Sequence, residues 1–412
     1  MINTLFAKRT LKLRLQLAWW ALPLVIAVPV LATTLMVSPE VNALTSWILL
    51  GFFLLLLPEA CHLIQQWWKT RTVKLAALIL LFCITAWHFD QGDLWLNAQA
   101  RLYVSALLFG AALCAWFERT GDAGLRWAAL LKIAVTCFAA LSFITVILGA
   151  PPEAHIWSEL IAIPPIYSNI RHFNFDLMIA IALLCLFWAS APRQWQRILL
   201  LPLFVLFGYL SVATAGRGAL FALAVFGLTF AAKKFVESLR IYLPPILAFL
   251  FGGLLVFITG QGNYALGRVG QLTDADGISS GRTELWGKVL YRLLETPTAL
   301  LFGYGPDAYR TLFNPRSPQV FHPHNAFVQW LLEFGLLGGV IVGVFWVRLN
   351  LLSLHRLRTD AGSDAHRIAA ALLLAFFAYS LIDGMFYHAI PLTFIVIVGT
   401  YLMAKNQQKL GH

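Results

Sequence analysis

Charged residues are scarce in this sequence. Only 12% of the 412 residues are Asp, Glu, Lys or Arg, whereas 60% are hydrophobic. A soluble globular protein of this length needs many more polar side chains to cover its surface. The composition therefore excludes an ordinary soluble enzyme and predicts an integral membrane protein.

Cysteine is also rare, and long polar stretches are almost absent. All five cysteines lie within apolar runs: Cys61, Cys83, Cys114, Cys137 and Cys185. This placement excludes a disulfide framework in an exposed domain. The sequence has no repeat, low-complexity tract or Gly-Ser linker that would separate a soluble domain from the rest of the chain.

Apolar runs long enough to cross a bilayer follow one another along the chain. A helix needs about 17 to 25 residues to cross a hydrocarbon core of about 30 Å. Twelve runs approach or meet this length: 17–37, 44–64, 72–89, 99–117, 126–148, 174–191, 196–213, 217–232, 240–260, 325–349, 367–386 and 388–404. The predicted fold class is therefore all-α, a polytopic membrane protein with about 12 transmembrane helices.

The runs divide the chain into three parts. Residues 1–260 hold spans one to nine, residues 261–324 form one large polar loop, and residues 325–412 hold spans ten to twelve and a tail. Ser279 or Ser280 can cap a helix within the loop, so the loop is predicted to contain short helices.

Lysine and arginine mark the cytoplasmic side of a membrane protein. With alternating spans, only nine of the 30 basic residues fall outside: Arg101, Arg171, Arg217, Arg268, Arg282, Lys288, Arg292, Arg310 and Arg316. Both termini are therefore predicted to be cytoplasmic and the large loop extracytoplasmic. This topology and contacts with anionic membrane lipids explain most of the net charge of +11, so no nucleic-acid partner is needed.

The stretch "FHPHNAFVQW", residues 321–330, joins the large loop to the tenth span. Asn325 is a predicted N-cap of that span, which places His324 beside the positive end of a helix and disfavours its protonation. A neutral imidazole can accept a proton from a sugar hydroxyl. The alternative is that His324 and Asn325 only cap the helix, and His322 is expected to be a solvated loop residue.

A metal site is a second interpretation of this stretch. His322 and His324 could act with Asp274 and Asp276 of "LTDADG". No fixed ligand spacing of a known site is present. The sequence therefore predicts no metal, and a flexible acidic turn accounts for the two aspartates.

Two outer arginines are candidates for binding phosphate. Arg217 lies in the tight hairpin "AGRGA". Arg282 lies near the start of "SSGRTELWGKVLYRLLE", an amphipathic helix expected at the membrane surface. A guanidinium group forms a fork that fits phosphate oxygens. The alternatives are that Arg217 reaches lipid phosphates and that Lys288 and Arg292 only form a solvated helix face.

Three further ionisable residues lie at the outer ends of spans. Arg171 and His172 stand at the start of span six, and Asp383 lies near the end of span eleven. An ionisable group within an apolar run is a functional candidate. Asp383 can orient an imidazole or bind sugar hydroxyls, and the alternative is a pair with an interfacial arginine.

Taken together, these motifs resemble the O-antigen ligase and polymerase family. The resemblance rests on "HNAFVQWLLEFGLLG", on Arg217 in "AGRGA" and on Arg282 in "SGRTELW". It covers the second half of the chain by motif and the first half only by topology. One departure is Gly216, where many relatives have a small hydroxyl residue before the arginine.

The resemblance implies a glycosyltransferase of the bacterial inner membrane with its active site on the periplasmic face. It implies that O-antigen glycan passes from undecaprenyl diphosphate to a sugar hydroxyl of the lipid A core, with inversion and without metal or other cofactor. His324 matches the family's base, and Arg217 and Arg282 match its diphosphate-binding arginines. Asp383 is a weaker match, and Arg171, His172 and Asn325 are supporting candidates from their positions.

Two alternatives remain open at this point. A polysaccharide polymerase would use the same donor and transfer its glycan to another lipid-linked glycan. A lipid-linked glycan transporter belongs to a different class, in which charged residues in broken helices lie near the membrane midplane. The candidate charges here are instead predicted on one side of the membrane.

Overall fold

A computed structural model describes residues 2–36, 38–68, 97–149, 166–167, 169–232, 235–262, 265–267, 282–313, 322–358 and 363–410. The structure is 87% helical, and its described residues contain no strand, which confirms the all-α prediction. The predicted span 72–89 lies outside the described residues, as do Asp274 and Asp276.

Fifteen helices are described. Their bounds are α1 (Ile2–Ala32), α2 (Ser38–Leu55), α3 (Leu57–Trp68), α4 (Ala98–Thr120), α5 (Asp122–Gly149), α6 (Ile170–Ser190), α7 (Gln194–Ala213), α8 (Arg217–Ala231), α9 (Phe235–Ile258), α10 (Arg282–Glu295), α11 (Pro297–Phe302), α12 (Ala308–Phe313), α13 (Ala326–Arg358), α14 (Asp364–Ser380) and α15 (Ala389–Leu410).

Eight of the described helices are long and apolar enough to cross a membrane: α1, α2, α4, α5, α6, α7, α9 and α13. Helices α8 and α15 contain shorter apolar segments. The predicted second span, 44–64, is divided between α2 and α3 at Leu56. Pro58 lies in the first turn of α3, where proline is well tolerated because its missing N–H would have no intrahelical acceptor. The chain is thus a polytopic membrane protein, and twelve spans stay a prediction.

The loops that alternation assigns to the outer side meet at one end of the bundle. Asn97, before α4, donates to the carbonyl of Pro306 in the large loop at 3.0 Å. Asn42, near the start of α2, donates to the carbonyl of Tyr387 before α15 at 3.0 Å. At the opposite end, Ser363 donates to Asp122 at 2.9 Å. These contacts group the described loops by the two ends of the bundle, and which end faces outward stays a prediction.

Helix α6 lies at the centre of the bundle, and α9 lies at its edge. In the most apolar stretch of α6, 83% of the residues are buried within the protein, whereas the corresponding share in α9 is 28%. Polar side chains on α6 therefore face other helices, whereas the exposed apolar side chains of α9 suit contact with lipid. The central position of α6 brings the first two turns of this helix to the candidate site.

Helix α13 has a kink at Gly335, where the backbone adopts φ 63°. The kink frees carbonyls for the large loop: Tyr304 N donates to Leu332 O at 2.8 Å, and Gly305 N donates to Glu333 O at 2.9 Å. A Cβ at Gly335 would lie 2.4 Å from the carbonyl carbon of Leu301. Glycine at this position therefore allows the loop to dock against α13.

Candidate active site

His324 lies in the loop just before α13. Asn325 caps this helix, since its side-chain oxygen accepts from Phe327 N at 2.9 Å and from Val328 N at 3.1 Å. The Asn325 amide also donates to Leu381 O at 2.8 Å, which ties the start of α13 to the loop after α14. His324 itself has φ 54°, a left-handed conformation that is uncommon outside glycine.

Asp383, in the loop after α14, contacts the His324 ring. Their Oδ1 and Nδ1 atoms are 3.1 Å apart, and both side chains are buried. Burial alone would raise the pKa of the Asp383 carboxyl, but the hydrogen bond with His324 and the charge of Arg171 lower that pKa well below its ordinary value. An ionised carboxylate only accepts hydrogen bonds, so Nδ1 of His324 carries the proton and Nε2 is the basic nitrogen.

The His324 imidazole is neutral in this setting. Burial lowers its pKa, the hydrogen bond and charge of Asp383 raise it, and the charges of Arg171 and Arg282 lower it again, with a net lowered pKa. A neutral imidazole oriented by a carboxylate is the arrangement of a general base.

Arg171 lies against the same ring. Its Nη1 atom is 2.9 Å from Nε2 and 3.0 Å from Nδ1 of His324. Nη1 is thus almost equally far from both ring nitrogens, which places the guanidinium over the face of the imidazole and not in line with the lone pair of Nε2. Arg171 belongs to the first turn of α6, and Asn169 fixes that turn by accepting from Arg171 N at 2.8 Å.

Arg282, the first residue of α10, lies within electrostatic range of this group. Burial lowers the pKa of the Arg282 guanidinium and the charge of Asp383 raises it. The positive charges of Arg171 and Arg217 lower it further, so the three arginines share one neighbourhood. Trp286 fastens α10 to the same place, since its indole N–H donates to Pro323 O at 2.8 Å.

The turn that carries Arg217 is wedged between α6 and α14. A Cβ at Gly216 would lie 2.6 Å from Cγ of Asn174, and a Cβ at Gly218 would lie 2.6 Å from Cε2 of Tyr379. Both glycines therefore permit a close approach that larger residues would prevent. Asn174 also accepts from the Thr214 hydroxyl at 2.7 Å, which gives the turn a second contact with α6.

A chain of three buried histidines, His322, His388 and His172, supports the backbone of His324. His324 N donates to Nδ1 of His322 at 3.1 Å. Nε2 of His322 lies 2.9 Å from Nε2 of His388, and Nδ1 of His388 lies 3.0 Å from Nε2 of His172.

The backbone N–H of His324 can only donate a hydrogen bond, so it fixes the proton positions along the three histidines. His322 carries its proton on Nε2 and donates to His388, which carries its proton on Nδ1 and donates to His172. His172 Nδ1 is buried and has no hydrogen-bond partner among the described residues. Burial lowers the pKa values of His322 and His388 well below the ordinary value, so both rings are neutral.

The expectation that His322 is a solvated loop residue was wrong, since only 3% of it is exposed. Its ring packs against Tyr387 and accepts the backbone hydrogen bond of His324. A Cβ at Gly384 would lie 2.2 Å from Nδ1 of His322, so glycine leaves the space that this ring occupies.

One group of side chains in the described residues has a geometry that could hold a metal ion. Potential ligand atoms of His322, His324 and Asp383 lie within 4.8 Å of one another. The Nδ1 atom of His322 already accepts from a backbone N–H, and the cationic Arg171 lies on His324. A cation would therefore have to displace both contacts, and the hydrogen bonds account for the cluster.

Comparison with known proteins identifies the central part of the chain. Residues 177–343 match the family described as O-Antigen ligase. These residues form an O-antigen ligase family domain. This match indicates a membrane glycosyl-transfer enzyme of the O-antigen ligase or polymerase type. No curated protein matches the chain.

The O-antigen ligase family domain contains Arg217, Arg282 and His324, and its flanks complete the site. Arg171 precedes the matched residues, and Asp383 and His388 follow them. Of the residues predicted from the sequence, the structure brings His324, Asp383, Arg171 and Arg282 together. It places His172 in the histidine chain and gives Asn325 the role of a helix cap.

Sequence reasoning missed a second buried network that fastens the large loop. Glu333 of α13 accepts from the Tyr103 hydroxyl at 2.9 Å and from Asp307 N at 3.1 Å. Asp307 in turn accepts from the Tyr387 hydroxyl at 2.9 Å and from Nε of Arg310 at 2.7 Å. The rule that singled out Asp383, an ionisable group within an apolar run, also applies to Glu333.

Proposed function

We propose that this protein transfers O-antigen glycan from undecaprenyl diphosphate to a sugar hydroxyl of the lipid A core. The transfer takes place on the periplasmic face of the bacterial inner membrane. The observation that carries the proposal is a neutral His324, oriented by Asp383, in a cluster that also receives the charges of Arg171 and Arg282. Such a cluster combines a base with a surplus of positive charge.

The reaction follows from these groups. Nε2 of His324 accepts the proton of the acceptor hydroxyl while the hydroxyl oxygen bonds to the anomeric carbon of the donor glycan. The bond from that carbon to the diphosphate oxygen breaks, and its electron pair stays on the diphosphate. Arg217 and Arg282 stabilise this negative charge, and Asp383 stabilises the imidazolium that forms. A single displacement inverts the anomeric carbon.

A lipid-borne donor suits the surroundings of Arg282. Helix α10 buries Val289 and Leu293, while Leu290 and Leu294 on the same helix are 44% and 68% exposed. Exposed leucines on an amphipathic helix are stabilised by the membrane interface. A diphosphate held at headgroup level by the first residue of α10 can therefore keep its polyprenyl chain in the bilayer.

The proposal can be tested with purified protein in lipid nanodiscs, supplied with undecaprenyl-diphosphate-linked glycan and core-lipid acceptor. We expect glycan-modified core lipid from the wild type and a loss of at least about a hundredfold in His324→Ala, because a general base contributes about 10²- to 10⁴-fold. The matched control is His62→Ala, which changes an exposed histidine outside the site and should leave the rate unchanged.

Two results would contradict this assignment. Longer glycans on the carrier, with no modified core lipid, would replace the ligase with a polymerase. Full activity of His324→Ala would remove the base from the mechanism, and movement of the lipid-linked glycan across the bilayer without any transfer would favour a transporter.

A further inference from the structure

A cavity lies between the first turns of α1 and the end of α4, at the opposite end of the bundle from His324. Its volume is about 400 Å³, which is within the range of ligand pockets in proteins. Helix α4 begins beside Asn97, which contacts the large loop, and ends at Thr120, which lines the cavity. The length of a membrane span therefore separates the cavity from the candidate active site, and the proposed reaction does not use it.

The charged side chains that line the cavity are both positive. Lys12 and Arg119 are exposed, and neither forms a hydrogen bond or an ion pair with another described residue. Glu118 acts electrostatically on Arg119 but does not line the cavity. Asp122, at the start of α5, accepts from the Ser363 hydroxyl at 2.9 Å instead. The cavity therefore presents two cations to an anionic ligand.

The apolar part of the lining comes from one face of α1. Leu11, Leu15 and Trp19 recur every four residues, so their side chains lie along the same side of the helix. The Trp19 ring packs edge-on against the buried Trp116 ring, with their centroids 5.1 Å apart. The cavity thus combines cations with a packed apolar wall, which suits a ligand that has a charged head and an apolar body.

The cavity lies where two membrane-crossing helices reach the same boundary of the bilayer. The stretch of α1 that can cross the membrane starts at Arg9, and that of α4 ends at Thr120. Lys12 and Arg119 therefore lie near the level of the phosphate groups of one leaflet. Trp20, which follows the lining residue Trp19, is 75% exposed and suits contact with lipid at this level.

We propose that this cavity binds the headgroup of an anionic phospholipid. The phosphodiester accepts ionic hydrogen bonds from Lys12 and Arg119, and the Gln16 amide donates a further one. The glycerol backbone lies against Leu15 and Trp19, while the acyl chains stay in the bilayer. A net negative headgroup compensates the two cations, whereas a zwitterionic headgroup does so less well. This inference goes beyond the proposed glycan transfer and does not depend on it.

Lipid binding can be measured with full-length protein that has been delipidated in a neutral detergent. Native mass spectrometry counts the retained lipids, with dioleoyl phosphatidylglycerol as the anionic probe and dioleoyl phosphatidylcholine as the zwitterionic comparison. We expect the wild type to bind phosphatidylglycerol saturably and more tightly than phosphatidylcholine. Lys12→Met and Arg119→Met should each raise the dissociation constant for phosphatidylglycerol about fivefold, because each removes one cation near the lipid phosphate. Arg119→Lys keeps the charge and should lose less affinity.

Thermal unfolding provides a second readout that separates binding from folding. Without added lipid, the double variant Lys12→Met with Arg119→Met should unfold at a temperature similar to that of the wild type, since both side chains are exposed. Phosphatidylglycerol should raise the unfolding temperature of the wild type more than that of the double variant, because a ligand stabilises the folded state that binds it.

The matched control is Arg240→Met, which removes an exposed cation near the start of α9 that does not line the cavity. It changes the net charge by the same amount and should leave the dissociation constant unaltered. The site is refuted if the double variant retains phosphatidylglycerol as well as the wild type does. Equal affinity of the wild type for phosphatidylcholine would overturn the anionic ligand, and displacement of the lipid by equimolar sn-glycerol 1-phosphate would replace the lipid with a soluble phosphate.

Discussion

Two buried polar clusters share helix α6, and they differ in how their charges are matched. In the first, the Lys132 ammonium and the Tyr167 hydroxyl both contact the Asp176 carboxylate, and all three residues are almost fully buried. In the second, Arg171 contacts a neutral His324, and further arginines lie nearby. The first cluster is closed and electrically neutral, whereas the second is partly open and has more positive than negative charge.

This difference separates packing from ligand binding. A buried ion pair with each partner satisfied requires no additional group, and Lys132 also lies 4.9 Å from the ring centre of Phe394. A cluster with surplus guanidinium groups is costly in a membrane protein unless an anion enters it. We therefore infer that the closed cluster holds α5 against α6 and that the open cluster binds substrate.

The largest expected effect comes from breaking the closed cluster. Lys132→Met leaves Asp176 as an uncompensated buried charge and should destabilise the protein by about 3 to 5 kcal/mol. Thermal unfolding in detergent measures the loss. The control is Lys288→Met on the exposed face of α10, and the double variant Lys132→Met with Asp176→Asn should be more stable than Lys132→Met alone. Equal stability of Lys132→Met and the wild type would disprove the structural role.

The second largest expected effect concerns the removal of an arginine from the open cluster. Arg282→Met should lower the rate of glycan transfer by about 10²- to 10³-fold, because charge on the leaving diphosphate loses a fixed donor. Its unfolding temperature should stay near that of the wild type, in contrast to Lys132→Met. Arg292→Met serves as the control on the same helix. A large loss of stability with unaltered transfer would assign Arg282 to packing instead.

A third effect concerns the docking of the large loop. Gly335→Ala forces a Cβ into the backbone of Leu301 at positive φ and should cost about 1 to 3 kcal/mol. Limited proteolysis of the 303–313 segment should become faster. Gly343→Ala on the same helix is the matched control, since no atom lies within 4 Å of its added Cβ. Equal protection of the loop in both variants would show that docking does not depend on Gly335.

Local features of the site could be predicted from the sequence. A cap before an apolar run identifies Asn325 and places His324 at a helix start, as the structure has them. The outer side of this loop stays a prediction from charge asymmetry. Amphipathic spacing identifies α10, with Ser279 or Ser280 as its predicted cap, and the structure describes this helix over Arg282–Glu295. These inferences need only neighbouring residues, because caps and helical faces are set within a few positions.

Long-range partners could not be predicted in the same way. Arg171 and His324 are 153 positions apart, and His388 meets His172 across 216 positions. Helix packing decides these contacts, and periodicity does not specify which helices are neighbours. His322 was predicted to be solvated because it lies in a polar loop, but its contact with the distant His388 buries it. Glu333, by contrast, could have been predicted from the sequence, because it is an ionisable residue within an apolar run, as Asp383 is.

The smallest expected effect tests the histidine chain, which is buried like the closed cluster but contains no ion pair. His388→Leu removes the acceptor of the His322 Nε2 proton and should destabilise the protein by about 1 to 3 kcal/mol near pH 7, since a buried donor loses its partner. His388→Gln keeps an acceptor and should lose less. Thermal unfolding of both variants beside the wild type provides the comparison.

The same chain predicts a dependence of stability on pH. The pKa values of His322 and His388 are well below 6.5 in the folded protein, so the unfolded chain binds more protons below about pH 6.5. Stability should therefore be greatest above this pH and should fall as the pH decreases. In His388→Leu the fall should be shallower, because one histidine no longer gains a proton on unfolding. A slope equal to that of the wild type would mean that His388 is already protonated in the folded state, and the directed hydrogen bonds of the chain would then be incorrect.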